Sequence, residues 1–162
     1  MNILFDEHRL ILKTLLNHHV DFILIGGYAV NYYGYNRSTG DMDLWLNPTN
    51  ENKDLLIGAL SELQFDEVGI STIRSWDFTT AQKFYIGERN RPDRTEFMTH
   101  ISGLTYDAGR QNLSLADIDG LLLPIINFNN LIRNKESTGR LKDMADVEYL
   151  KKIMHLKTKD SG

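Results

Sequence analysis

Apolar residues recur along the chain with two periods. In residues 3–18, Leu4, His8, Ile11, Leu12 and Leu15 fall at helical spacing, which predicts an amphipathic helix lying against a core. "VDFILIGG" is a short unbroken run of β-branched and aromatic residues stopped by two glycines, the pattern of a buried strand. "YAVNYYG" follows as a short helix ending at Gly34, and "DMDLWL" reads as a second strand closed by "NPTN". "NENKDLLIGALSELQF" returns to helical spacing, with Thr49 or Asn50 as its cap. "KFYIGE" and "RTEFMTHI" are strand-like and joined by the turn-rich "RNRPD", which predicts a hairpin, and "LLLPIINF" adds a last short strand. From Asn129 the pattern is helical, broken near "ESTGR", and resumes through "LKDMADVEYLKKIM" to a polar, frayed tail.

This order predicts an α/β (α+β) fold, a mixed β-sheet flanked by helices with further helices at the C-terminus. Without a repeat, low-complexity segment or linker, residues 1–162 form one expected domain, with an α/β core over about 1–127 and C-terminal helices over about 128–156.

Composition narrows the function. The net charge of −4 supplies no global positive field, which argues against nucleic acid or anionic lipid as partner and requires local cations or a metal for any anionic ligand. The absence of cysteine excludes disulfides, thiolate nucleophiles and zinc–sulfur sites. Asp6, Glu7, His8 and Arg9 interrupt the region where a signal peptide would be apolar, and "LLLPIINF" is far shorter than the roughly 18–20 residues of a membrane helix. A cytoplasmic protein is expected.

Two features carry candidate chemistry. Side chains on a strand alternate faces, so Asp41 and Asp43 point the same way, roughly 7 Å apart along the backbone. Paired carboxylates repel unless a cation or protons relieve them, and Mg²⁺ held jointly by carboxylates and substrate phosphates is the natural relief. Gly26 and Gly27 close a strand and open a helix, where backbone N–H groups favour a phosphate. No G-x-G-x-x-G or G-x-x-x-x-G-K-[ST] loop occurs.

"IGGYAVNYYGYNRSTGDMDLWL" resembles the signature of the polymerase-beta-like nucleotidyltransferase superfamily, and "LIRNKESTGRLKDMADVEYL" resembles the C-terminal region of its small bacterial members, which act in antibiotic modification or in toxin–antitoxin pairs. The likeness spans approximately residues 8 to 152. It implies a third carboxylate on a later strand, at Glu96 in "RTEFMTHISG"; many relatives have aspartate there, and the extra methylene of glutamate displaces the oxygens. The resemblance further implies one or two Mg²⁺ ions on Asp41, Asp43 and Glu96, with these three as catalytic residues. An NTP, expected to be ATP, would have its phosphates met by Gly26, Gly27, Arg37, Ser38, Lys135, Arg140 and Lys142.

On this reading the protein is an enzyme that moves a nucleoside monophosphate, expected to be AMP, to a hydroxyl acceptor on a small molecule or a protein, with a second protein or a homodimer completing the acceptor cleft. The alternative is a catalytically degenerate protein of the same fold that serves as a binding or antitoxin-like partner. The residues also allow Lys135, Arg140 and Lys142 to lie on a solvated helix face, with Asp143 and Asp146 as their partners.

Overall fold

Residues 4–35, 40–88 and 90–161 are described by a computed structural model. In chain order they form α1 (Asp6–Asn17), β1 (Phe22–Ile25), α2 (Gly26–Tyr32), β2 (Met42–Leu46), α3 (Asn50–Glu62), α4 (Glu67–Ser75), β3 (Lys83–Ile86), β4 (Thr95–Met98), α5 (Tyr106–Gln111), β5 (Ser114–Ile118), β6 (Leu121–Ile125), α6 (Phe128–Thr138) and α7 (Leu141–Ser161). The strands make one mixed sheet in the order β3-β4-β2-β1-β6-β5. The β1–β2, β3–β4 and β5–β6 pairs are antiparallel; β2–β4 and β1–β6 are parallel.

The centre of the sheet is where the apolar runs lie. All four residues of β1 are buried, as are Met42, Leu44 and Leu46 on one face of β2 and Trp45 on the other. α1 and α3 pack on each other, with Leu12 and Leu15 meeting the same core as Leu56 and Leu60. Gly109 of α5 lies so close to Trp45 that a Cβ would come within 2.6 Å of Cζ3. His8 on α1 is fully buried: its Nε2–H donates to the Arg94 carbonyl at 3.1 Å, which leaves Nδ1 to accept from the Tyr28 hydroxyl at 2.7 Å. That arrangement keeps the imidazole neutral, and its pKa is lowered, chiefly by burial.

The predicted elements form, with Thr49 rather than Asn50 capping α3 through a bond from the Asn52 N–H. Three further elements arise. Asp66 caps α4 by accepting from the Val68 and Gly69 N–H groups, and Ile70 and Ile73 bury that helix. Thr105 caps α5 in the same manner, accepting from the Ala108 N–H. β5 pairs with β6 through a tight turn at Asp119 and Gly120, both with positive φ, the geometry that an Asp-Gly pair favours. At the C-terminus α6 stops at left-handed Gly139, and α7 continues as helix to Ser161, past the expected limit near residue 156. No described helix is long and apolar enough to cross a membrane.

Candidate active site

Sheet register builds the site. The β1–β2 pairing sets Ile25 opposite Asp43, the β2–β4 pairing sets Asp43 opposite Glu96, and the β3–β4 pairing sets Glu96 opposite Tyr85. Directly opposed residues share a sheet face, so the carboxylates of Asp43 and Glu96 lie on the same side. Asp41 stands just before β2. A cleft of about 590 Å³ runs between this row and the C-terminal helices, bordered by Gly26, Gly27, Asp41, Asp43, Lys83 and Glu96 from the sheet side and by Lys135 and Thr138 of α6, Arg140 of the α6–α7 turn and Lys142 of α7. Of the residues expected to form the site, only Arg37 and Ser38 are not placed there; both lie outside the described residues.

The glycine pair has a further reason for being glycine. Gly26 sits at φ +69°, and a Cβ there would overlap the Oδ2 atom of Asp43. A left-handed backbone and a carboxylate packed on its Cα together require hydrogen at that position. Gly26 and Gly27 are the first residues of α2 rather than a separate turn.

Asp43 is crowded by negative charge. Burial raises its pKa to about 7, helped by the charges of Glu96 and Asp41 and opposed by Lys135 and Lys83. Among the described residues, no three acidic or histidine side chains gather closely enough to enclose a metal ion by themselves. The donor set still suits a hard divalent ion delivered by phosphates, because Mg²⁺ commonly takes one or two carboxylates and completes its shell with water and substrate oxygens. A buried carboxyl forced upward by two acidic neighbours is a group that such an ion would relieve.

Lys83 is a cation of the cleft that the sequence does not single out. Its Nζ lies 2.7 Å from Glu96 Oε1, and its pKa is raised mainly by that hydrogen bond. Lys83 is directly opposite Met98 and reaches Glu96 along the diagonal of the β3–β4 pair, a contact that only the strand register reveals. Alternation in "KFYI" shows which residues share its face but not which partner strand they meet.

Lys135 joins two helices and also lies on the cleft. Its ammonium is buried between Asp143 (3.2 Å) and Asp146 (2.9 Å), tying α6 to α7, while it also borders the cleft near Asp43. It is not on a solvated helix face, being only 6% exposed. Burial pushes the Asp143 carboxyl up, but hydrogen bonds from Thr138 and Arg140 and the charge of Lys135 outweigh it and hold the pKa below the usual carboxylate value. Arg140, bonded through Nε to Asp143 at 2.7 Å, remains largely exposed at the cleft rim.

Across 94% of this chain and 99% of the other, the structure is similar to the lincomycin-bound lincosamide antibiotic adenylyltransferase LnuA, with a TM-score of 0.58 and 13% sequence identity. The fold is nucleotidyltransferase-like. A Thermotoga maritima protein provisionally assigned as a nucleotidyltransferase is similar over 95% of this chain and 96% of its own, with a TM-score of 0.50 and 12% identity. No protein-family model matches the sequence, and no curated protein does. In this nucleotidyltransferase-like fold, the acidic row on the sheet and the basic groups of α6 and α7 face one cleft.

Proposed function

We propose that the protein is a Mg²⁺-dependent nucleotidyltransferase that moves AMP from ATP to a hydroxyl on a small molecule or a protein. The observation that carries this reading is the meeting of Asp41, Asp43 and Glu96 with Gly26 and the basic groups of the C-terminal helices in one cleft of a nucleotidyltransferase-like fold.

Asp41 and Asp43 would hold the ion, which when bound supplies neutralisation of charge developing on the triphosphate. Arg140 and Lys142 at the rim would meet phosphate oxygens, with Arg37 and Ser38 as further candidates from the sequence. Asp43, whose carboxyl is raised by burial, would hold the ion in its deprotonated form. The acceptor oxygen forms a bond to the α-phosphorus as the bond from that phosphorus to the β-phosphate bridging oxygen breaks, and pyrophosphate leaves. Glu96 would take the hydroxyl proton on Oε2, since Lys83 holds Oε1.

The test is transfer of label from α-³²P-ATP with Mg²⁺, offered to lincosamides and other hydroxylated small molecules and to proteins, with release of pyrophosphate measured in parallel. Labelled product that disappears in Asp41→Asn and Asp43→Asn is expected; Mg²⁺-dependent transfer surviving both substitutions would refute the mechanism. The alternative of a non-catalytic binding partner is favoured by the ion pair that engages Glu96. Mg²⁺–ATP binding without pyrophosphate release from any acceptor would support it.

A further inference from the structure

Three carboxylates border the cleft from the sheet side, but they are not equivalent. Burial, and after it the charges of Glu96 and Asp41, raise the pKa of Asp43, whereas Glu96 has a dedicated counter-ion 2.7 Å away on an adjacent strand. Lys83 is itself held in place. Its ammonium lies 5.7 Å from the centre of the Tyr85 ring, and the Arg94 guanidinium stacks on the same ring at 3.5 Å. Among the described residues, the acidic side chains do not close into a three-ligand cage.

Resting on the nucleotidyltransferase reading above, we propose that Lys83 occupies with its ammonium the position that a second divalent ion would take at Glu96, so that the site works with a single divalent ion. A second ion bound by Glu96 would have to sit beside the Lys83 charge or displace it, and either course opposes binding. Lys83 is therefore a positioning residue for Glu96. It neutralises that carboxylate without coordinating it and leaves Oε2 open to the acceptor.

The test counts ions rather than turnover. Mn²⁺ bound per chain is measured by electron paramagnetic resonance during titration in the presence of a non-hydrolysable ATP analogue. The wild type is expected to bind one ion, Lys83→Met two, Lys83→Arg one, and the double variant Lys83→Met/Glu96→Gln one again. Lys83 is half-exposed on an edge strand and methionine keeps its aliphatic stem, so the fold should survive; circular dichroism checks this. Two ions in the wild type, or one in Lys83→Met, would overturn the inference and leave the nucleotidyltransferase reading standing. No ion in the wild type would overturn both.

Discussion

Replacing Asp43 by asparagine should stabilise the metal-free protein, and increasingly so as pH rises. The carboxyl pKa is raised from 3.8 to about 7, with burial as the main cause. Because the folded value lies above the unfolded one, ionisation of Asp43 opposes folding. The penalty is absent below about pH 4, grows through the window to about pH 7 and is constant above it. A shift of about three units at about 1.36 kcal/mol each sets a ceiling of about 4 kcal/mol. The coupling to Glu96 and Asp41 and the opening toward the cleft reduce this. Between pH 5 and 8 the advantage of asparagine should therefore grow by about 2 kcal/mol, or about 4–8 °C in Tm for a domain of this size. Urea unfolding and differential scanning calorimetry of both proteins at several pH values, in a chelating buffer, measure it. Mg²⁺ with an ATP analogue should then reverse the order at pH 8 by stabilising the wild type alone. An asparagine variant less stable than wild type at pH 8 without metal, or a difference independent of pH, would refute the electrostatic argument.

Gly26→Ala should cost about 1–3 kcal/mol through its left-handed backbone alone, and more through the overlap with Asp43; pairing it with Asp43→Gly should recover the second part, and purely additive urea midpoints would contradict that close approach. Lys135→Ala leaves Asp143 and Asp146 buried without their shared cation and should destabilise by about 3–5 kcal/mol, whereas a change under about 1 kcal/mol in chemical denaturation would show the pair to be solvated. His8, with its lowered pKa, favours the folded state fully above pH 6.5, and that contribution is lost as pH falls below this value toward its folded pKa. Its ring should titrate by NMR below 6.5; titration at or above that value would argue against the neutral, doubly bonded imidazole.

The sequence carried the fold where one face of an element is plainly apolar. α1, α3 and β1 are such cases, and so is the break at Gly139, where a left-handed residue ends α6. Asp66 before Ile70 and Ile73, and Asp-Gly at 119–120, are legible signals for α4 and the β5–β6 turn that short apolar runs obscured. α5 had the weakest signal: six residues with Gly109 inside, helical because that glycine admits the Trp45 ring. At the site, the Asp-x-Asp spacing revealed Asp41 and Asp43 as carboxylates of one cleft, although Asp41 stands just before β2 and only Asp43 has a strand register. Lys83 was illegible because its partner comes from another strand, brought close by register; Asp143 and Asp146 were legible as partners of Lys135, but not its burial between them, which helix packing sets.

The row formed by Ile25, Asp43, Glu96 and Tyr85 ties the acidic half of the cleft to the hydrophobic core. Sliding β2 by one residue would turn Asp43 inward and present Met42 and Leu44 to the cleft, exchanging a buried apolar set for a buried charge. The carboxylates can thus be altered by replacement in place but not by insertion or deletion within β2. The cationic rim, carried on the α6–α7 turn and the start of α7 beyond the sheet, has no such constraint. Insertions and replacements are therefore accommodated first around Arg140 and Lys142, with the acidic side of the cleft left as it stands.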